Sequence, residues 1–263
     1  MPHIMTLNSQ LPLNNGGVIP VLGLGVWQIP PGDETYKAVS LALEAGYRHI
    51  DTARLYSNEE SVGAAIKEST VPRDEVFVTT KLWPTDAFDV ERAFDTSLKK
   101  LGLEYVDLYL IHWPIPLLGR RTWKSMEGLV EKKSLRAIGV SNYSLSQLQE
   151  LLATCDIPPA VNQIEFNPFS YENDLLDFCM QKGIVVEAYS PLTRGMHLDD
   201  ATINKIAMHH KRTPAQVMLR WALQKGTVVI PKSSNQDRIV ENADIFTFDL
   251  TEDDMRRIDS ITR

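Results

Sequence analysis

Residues 21–51, VLGLGVWQIPPGDETYKAVSLALEAGYRHID, contain one complete strand–helix–strand unit. The run 21–25 is short and apolar, and apolar side chains between 36 and 43 recur at helical spacing. Gly46 ends that pattern, and a second short β-rich run, YRHI, follows directly at 47–50. A helix that connects two buried strands is typical of a parallel sheet. The stretch therefore predicts one β/α unit.

The same unit recurs along nearly the whole chain. Eight β-rich runs alternate with helix-like segments: VLGLG, YRHI, VFVTTK, VDLYLI, LRAIGV, AVNQI, IVVEAY and TVVI. Helix starts are marked by Ser144 with Gln147 and by Thr213 followed by Pro214. Eight such strands in 263 residues, close to the ~250 typical of the fold, predict the α/β class and a closed parallel (β/α)8 TIM barrel.

Two further elements flank the predicted barrel. The first twenty residues, with LPLNNGG as a turn, predict an N-terminal β-hairpin that covers the bottom of the barrel. A last amphipathic helix begins at Thr251. Because no linker or low-complexity tract interrupts the alternation, we expect residues 1–263 to form a single domain.

Composition narrows the classes of function. The formal charge of −7 argues against a nucleic-acid or anionic-membrane binder, since phosphate contacts need clustered Lys and Arg. No run reaches 18 apolar residues and no export signal begins the chain, which predicts a cytoplasmic protein. Cys155 and Cys179 lack metal-ligand spacing, so we expect neither a metal site nor a disulfide.

Polar side chains end seven of the eight predicted strands. In a (β/α)8 barrel the sites lie at the C-terminal ends of the strands, which form one rim. The residues that we place there are Asp51, Lys81, His112, Ser141 with Asn142, Gln163, Tyr189 and Lys232. Their common position favours a shared site.

Each of these residues also has a simpler interpretation when it is taken singly. Asp51 could cap a helix that starts near Asn58, and Lys81 could be solvated. His112 could be a satisfied core histidine, and Tyr56 a half-buried aromatic whose hydroxyl reaches water.

The stretch HIDTARLYSNE suggests acid–base chemistry. If Asp51 and Lys81 end neighbouring strands, they pair, and the ammonium lies beside the hydroxyl of Tyr56. A phenol has an ordinary pKa of about 10, and a cation within ~4–6 Å can lower a neighbouring pKa by roughly 1–3 units. We therefore expect Tyr56 to act as a general acid, with His112 orienting the oxygen that receives the proton.

A proton donor beside a carbonyl oxygen needs a partner that attacks the carbon, and no Ser-His-Asp, H-E-x-x-H or Cys nucleophile is visible. A cofactor is the natural supplier. GLGVW has too few glycines for a Rossmann fingerprint. In IPKSSNQDRIVEN, Lys232, Ser233 and Ser234 precede a helix that runs through Arg238, and helix N-termini favour phosphate. A plain surface helix start with two solvated cations remains the alternative.

Aromatic and amide residues complete the predicted pocket. Tyr189 can stack on a flat heterocycle, with amides available from Asn142 and Gln163. Three tryptophans on the rim, at 27, 83 and 113, would wall an apolar substrate pocket or fill the space between loops, whereas Trp123 and Trp221 are interpreted as core.

Seven ordered blocks resemble the aldo-keto reductase family: GYRHIDTARLYSNEESVG, TTKLW, VDLYLIHWP, IGVSNY, PAVNQIEFNP, AYSPL and IPKSSNQDRIVEN. They are spread over nearly the whole chain and are most similar to the compact microbial members, such as 2,5-diketogluconate and methylglyoxal reductases. The resemblance implies the same (β/α)8 barrel.

The resemblance also implies roles for individual residues. It implies a catalytic set of Asp51, Tyr56, Lys81 and His112, with Tyr56 as general acid. It implies cofactor contacts from Ser141, Asn142, Gln163, Tyr189, Ser190, Leu192, Gly195, Lys232, Ser233, Arg238, Glu241 and Asn242, and substrate contacts from Trp27, Trp83 and Trp113. The two cations at the adenosine end imply NADPH rather than NADH.

Two positions depart from the family pattern. Arg54 and Ser57 stand where a small or aliphatic residue and a glycine are expected, and we interpret Arg54 as solvated. The chain also ends soon after the last predicted helix, without the long C-terminal loop that shapes the pocket of larger family members. The resemblance therefore implies an open pocket and broad specificity.

The sequence therefore predicts a monomeric, cytoplasmic NADPH-dependent carbonyl reductase that acts on a small-molecule carbonyl substrate. An aldolase that forms a Schiff base on Lys81 is a rival, disfavoured because the pairing with Asp51 keeps the amine charged. A binding module that senses NADPH for a partner protein is a second rival, disfavoured by the intact catalytic set.

Overall fold

A computed structural model of the chain describes residues 5–132 and 134–261. Its strands are β1 (Gln10–Pro12), β2 (Val18–Pro20), β3 (Leu24–Gly25), β4 (His49–Asp51), β5 (Phe77–Leu82), β6 (Val106–Ile111), β7 (Leu135–Ser141), β8 (Val161–Glu165), β9 (Val185–Tyr189) and β10 (Val228–Val229). Its α-helices are α1 (Asp33–Glu44), α2 (Glu59–Glu68), α3 (Val90–Leu101), α4 (Gly119–Val130), α5 (Leu145–Leu152), α6 (Asn173–Gln181), α7 (Ala201–His210), α8 (Pro214–Gln224), α9 (Gln236–Ala243) and α10 (Glu252–Asp259).

The eight strands β3 to β10 form one parallel sheet in the order of the sequence, and each pairs with the next. Parallel bridges between Leu22 and Val229 and between Gly25 and Lys232 join the first strand to the last. These bridges close the sheet and confirm the predicted (β/α)8 barrel. The rim of strand ends is therefore continuous, so that residues far apart in the sequence become neighbours.

The N-terminal hairpin closes the bottom of the barrel, as the sequence predicts. β1 and β2 pair antiparallel, with Leu11 opposite Ile19. Leu13 and Ile19 are buried and belong to the apolar cluster that fills the lower barrel together with Phe77, Leu108, Val161, Val185 and Val228. These apolar contacts fill the lower end of the barrel.

The predicted helix starts are confirmed by capping boxes at Ser144, Thr213 and Thr251. In each of them the N-cap hydroxyl accepts a hydrogen bond from the N3 backbone amide, while the N3 side chain accepts one from the N-cap amide. Thr251 begins α10, the predicted C-terminal helix. The two helices α7 and α8 lie between β9 and β10, and the ring of His210 on α7 meets the carboxylate of Asp254 on α10 at 2.9 Å.

Helices pack around the barrel through a large apolar core that includes Trp123 and Trp221, both almost fully buried as predicted. Close helix contact occurs at Gly63 on α2, where an added Cβ would lie 1.8 Å from the backbone oxygen of Leu101. Within the described ranges, no helix is both long enough and apolar enough to span a membrane.

Candidate active site

The strand register brings Asp51 and Lys81 to the same part of the rim. Asp51, the last residue of β4, is opposite Thr79 of β5, and Lys81 lies two residues further along the same face. The Lys81 Nζ donates to the Asp51 carboxylate at 2.7 and 2.8 Å and to the backbone oxygen of Thr52 at 2.9 Å. The predicted pair is confirmed, and Asp51 does not cap a helix.

Burial makes this pair electrostatically strong. Burial alone lowers the pKa of Lys81, but the neighbouring Asp51 and Tyr56 outweigh it, and the pKa ends above the ordinary lysine value. Burial raises the pKa of Asp51, although Lys81 and an amide of Gln163 oppose the rise. Because its carboxylate accepts three strong hydrogen bonds, Asp51 stays ionised at neutral pH. The Lys81 ammonium therefore stays charged at neutral pH, and its hydrogen bonds fix its position.

Tyr56 lies at the end of a single 3₁₀ turn, Arg54–Tyr56, that follows β4. Its hydroxyl is 3.4 Å from the Lys81 Nζ, and the ammonium lies 5.0 Å from the centre of its ring. Ser57, the C-cap of this turn, has a φ of 58°, which explains why a glycine is expected at that position.

The expected lowering of the Tyr56 pKa is wrong as a net effect. Burial raises the pKa of Tyr56 above its ordinary value, and Lys81 only partly offsets the rise, while Asp51 and Glu187 add to it. The low dielectric around the phenol disfavours the phenolate more than one cation can compensate for. Tyr56 therefore holds its proton at neutral pH, which is the state that a general acid needs.

His112 follows β6 and is 8% exposed. Burial and the nearby Lys81 lower its pKa to about 3, so its imidazole is neutral. The ring packs edge-on against Tyr56 at 5.6 Å and against Trp83 at 5.2 Å between centroids. A neutral imidazole can donate one hydrogen bond to a reacting oxygen but adds no charge to the site.

Amide and hydroxyl side chains connect this group to the opposite side of the rim. Gln163 donates to the Asp51 carboxylate at 2.8 Å, and its contact with a cofactor amide stays a prediction. Asn142 accepts from the Tyr189 hydroxyl at 2.8 Å and donates to the His112 backbone oxygen at 3.1 Å. Strands β4 to β9 are therefore linked by side chains at the rim.

A cavity of about 870 Å³ opens on this rim. All twelve residues predicted to contact a cofactor line it, from Ser141 to Asn242, and so do Asp51, Tyr56 and His112. Lys81 lies beneath the wall, fully buried. The volume is at the upper end of the ~300–1,000 Å³ typical of small-molecule sites, and the cavity is long enough to connect Tyr56 with α9.

The far end of the cavity is cationic. Asn235 caps α9 by accepting from the backbone amide of Arg238 at 3.0 Å. Lys232 and Arg238 are exposed on either side of this helix start. Glu241 lies on α9 and accepts a hydrogen bond from the Thr213 hydroxyl. Two cations at a helix N-terminus can bind a phosphate, as the sequence predicts.

The three rim tryptophans are not equivalent. Trp27 and Trp113 line the cavity and are 36% and 46% exposed. The Trp83 indole packs edge-on against the His112 ring, and Trp83 is not among the described residues that line the cavity. Trp83 therefore lies beside the imidazole, and its direct contact with a substrate stays a prediction.

Arg54 is also not the solvated cation that we expected. Its guanidinium forms an ion pair with Asp86, in the turn Pro84–Asp86 beyond β5. This pair ties the segment that carries Tyr56 to the segment that follows Lys81 and Trp83. Asp86 stands three residues beyond Trp83, a spacing that gave no signal in the sequence.

Sequence analysis missed several described residues of the cavity wall, among them Leu55, Arg194 and Leu198. The Arg194 guanidinium lies 4.9 Å over the ring of Trp27, so the loop after β9 reaches the loop after β3 across the cavity. The TRG sequence at 193–195 adopts positive φ at all three residues. The sequence does not indicate a positive φ at Thr193 or Arg194, since neither residue is a glycine.

Comparison with known proteins identifies one family and several similar reductases. A model described as the aldo/keto reductase family matches residues 21–263. The chain is 50% identical to the 9,11-endoperoxide prostaglandin H2 reductase of Trypanosoma cruzi (strain CL Brener) over 254 residues, 95% of this chain and 90% of that protein. It is 46% identical to the glyoxal reductase of Bacillus subtilis (strain 168) over 260 residues, 98% of this chain and 94% of that protein.

Among solved structures, the chain is similar to MGS-M4, an aldo-keto reductase enzyme from a Medee basin deep-sea metagenome library. The TM-score is 0.93 at 45% sequence identity, and the match covers 97% of this chain and 95% of that chain. The two curated relatives differ in the substrates that their names state.

Proposed function

This chain belongs to the aldo/keto reductase family, and we propose that it catalyses the NADPH-dependent reduction of aldehydes and ketones to alcohols. Small dicarbonyls, keto-sugars and aromatic aldehydes are the proposed substrates. The named activity of the Bacillus subtilis relative, a glyoxal reductase, supports the dicarbonyl class. The exposed Trp27 and Trp113 at the cavity mouth support the aromatic class.

The volume and the lining of the cavity support a dinucleotide cofactor. Tyr189 and Asn142 would hold the nicotinamide end, the loop from Ser190 to Gly195 would cover the pyrophosphate, and Lys232 and Arg238 would hold the adenosine phosphate. When bound, reduced nicotinamide supplies hydride for a carbonyl carbon. The two exposed cations favour NADPH, because only that cofactor carries a phosphate on its adenosine ribose.

The proposed role of the protein is to deliver a proton to the carbonyl oxygen. The Tyr56 hydroxyl lies on the cavity wall, protonated at neutral pH, with the Lys81 ammonium 3.4 Å away to stabilise the phenolate that forms when the proton leaves. Asp51 fixes the ammonium through both of its oxygens. Neutral His112 orients the same oxygen by hydrogen bonding.

One observation carries the proposal: a phenol on the cavity wall touches a fully buried lysine that is held by a carboxylate. Replacing Tyr56 with Phe removes the proton and little else. We expect Y56F to lose at least about 99% of kcat, since general acid catalysis contributes ~10²–10⁴-fold. We expect the Kd for NADPH, measured by fluorescence titration, to change less than about twofold.

Tyr36→Phe is the matched control. The Tyr36 hydroxyl donates to Glu68 on the outer helices, far from the cavity, so Y36F should keep wild-type kcat. A Y56F protein that keeps more than about a tenth of kcat, a barrier increase under ~1.4 kcal/mol, would contradict the assignment. NADPH binding by the wild-type protein without turnover of any aldehyde or ketone would favour the alternative, a sensing module.

We also propose that the protein works as a cytoplasmic monomer of one domain. The net charge of −7 supports a partner class limited to small molecules rather than nucleic acids or anionic membranes. Sedimentation analysis with and without NADPH tests the oligomeric state.

A further inference from the structure

A second carboxyl group lies directly beneath the proposed catalytic site. Glu187 points into the barrel from β9, two residues before Tyr189 and in register with Gln163 of β8. Its side chain is completely buried. The reaction described above gives this group no role.

The surroundings of Glu187 stabilise a negative charge poorly, because Gln163 and Lys81 only partly offset the effects of burial and of Asp51 on its pKa. Neither of its carboxyl oxygens has a hydrogen-bond partner within the described residues. The nearest basic atom is the Nε2 of His49, 3.5 Å from Oε1, and His49 is itself fully buried. Burial and the charge of Lys81 lower the pKa of His49 to about 3, so its ring is neutral and supplies no compensating cation. A buried carboxylate in such a place takes up a proton instead of remaining charged.

The charged groups that face Glu187 across the barrel are Asp51 on β4 and Lys81 on β5, and Gln163 on the adjacent strand β8 is a neutral polar neighbour. Lys81 and Asp51 already balance each other. Of the two carboxyls, Asp51 accepts three hydrogen bonds, two of them from an ammonium, whereas neither oxygen of Glu187 has a partner in hydrogen-bonding geometry within the described residues and the Gln163 amide lowers its pKa only in part. The geometry therefore assigns the ionised form to Asp51 and the proton to Glu187.

We infer that Glu187 is protonated in the active protein and is a positioning residue for the proposed reaction, because its proton keeps the buried group at one positive and one negative charge. The negative charge of an ionised Glu187 would offset part of the positive electrostatic potential that Lys81 exerts at the Tyr56 oxygen. This inference rests on the proposed function, since it concerns how Lys81 stabilises the Tyr56 phenolate.

The direction of the electrostatic effects agrees with this arrangement. Burial, followed by the charge of Asp51, raises the pKa of Glu187 to about 8. An ionised Glu187 raises the pKa of Tyr56 further. Proton donation should therefore weaken as pH rises through the titration of Glu187, before the lysine or the phenol itself titrates.

The protonation state can be measured directly and without turnover. In protein labelled with ¹³C at glutamate side-chain carboxyls, we expect one resonance that titrates near pH 8, and Glu187→Gln should remove it. Because the folded pKa is raised above the ordinary 4.5, folding stability should fall as pH rises from 4.5 towards 8, and E187Q should lack this fall. A spectrum in which all glutamates titrate below pH 6 would overturn the inference.

The consequence for the reaction is tested by the pH profile of kcat with methylglyoxal and NADPH. At pH 9 roughly a tenth of a group with a pKa of about 8 is still protonated, so wild-type kcat should fall several-fold between pH 7 and 9, and about tenfold if the form with ionised Glu187 is inactive. In E187Q, which mimics the protonated form, the fall over this range should be less than about twofold. Equal falls in both proteins would overturn the positioning role.

Glu127→Gln separates this effect from a general loss of stability. Glu127 is a nearly buried carboxylate on α4 that accepts from the backbone amides of Asp156 and Ile157, outside the barrel. E127Q should lower the melting temperature and leave the wild-type pH profile unchanged. Absence of reductase activity in wild-type protein would contradict the proposed function alone, since the carbon titration and the stability profile would still show whether Glu187 holds a proton.

Discussion

Replacing Asp51 with Asn tests the buried ion pair on which the site depends. In the folded protein, Lys81 is completely buried and has hydrogen bonds to both Asp51 oxygens and to the Thr52 carbonyl. D51N keeps the size of the side chain but removes its charge, which leaves an ammonium without a counterion. Breaking a buried pair from one side costs about 3–5 kcal/mol.

The cost should appear in equilibrium unfolding by urea, followed by circular dichroism. At about 2–4 °C per kcal/mol for a chain of this size, the corresponding drop in melting temperature is roughly 10 °C. The double variant D51N/K81M replaces the pair with neutral side chains, and we expect it to be more stable than D51N, because no buried charge remains unpaired. All three variants of the cycle, D51N, K81M and the double, should lose nearly all kcat.

Asp253→Asn supplies the surface comparison. Asp253 accepts from Arg256 on α10, where both side chains are about two-thirds exposed. Removing this pair should cost less than about 0.5 kcal/mol. The reasoning about Lys81 is refuted if D51N is destabilised by no more than D253N, or if D51N and K81M are additive in the double variant.

Two further predictions concern packing and the cofactor. Gly63→Ala should destabilise the fold by at least about 1–3 kcal/mol in urea unfolding, because its Cβ would overlap the backbone of Leu101. Gly128→Ala on α4 is the control: an added Cβ meets nothing within 4 Å there, and the substitution should stabilise the fold by about 0.5–1 kcal/mol. A stable G63A protein would contradict the close approach of α2 and α3. Lys232→Ala and Arg238→Ala should each raise the Kd for NADPH about tenfold or more, by loss of a charge-assisted phosphate contact, and change that for NADH less than about twofold. Equal losses for both cofactors would exclude the proposed contact with the ribose phosphate.

Much of the fold could be predicted because barrel strands and outer helices have local signatures. Short β-rich runs bounded by caps and glycines mark the β/α units, and helices begin as predicted after Ser144 with Gln147, after Thr213 before Pro214, and after Thr251. The closure of the barrel between Gly25 and Lys232 could be inferred only from the number of strands. No local pattern indicates which two strands meet at the seam.

The candidate site residues could be assigned to one rim because the sequence indicates where each strand ends. Their electrostatics could not be predicted in the same way. The net rise in the pKa of Tyr56 depends on how completely the surrounding loops bury its ring, which is a property of packing. Loop conformations between β4 and β6 likewise determine two contacts: the ion pair of Arg54 with Asp86 and the edge-on packing of Trp83 against His112.

The sequence by itself determined the order of strands and helices and the polar residue at each strand end, because periodicity, capping and turn chemistry act over a few neighbouring residues. The tertiary structure alone decided which charges are compensated. Lys81 has a carboxylate on the adjacent strand, whereas Glu187 and His49 face each other across the closed barrel without a counterion. Burial and distance in three dimensions set those interactions, since the energy of a charge depends on all the groups around it and not on its neighbours in the chain.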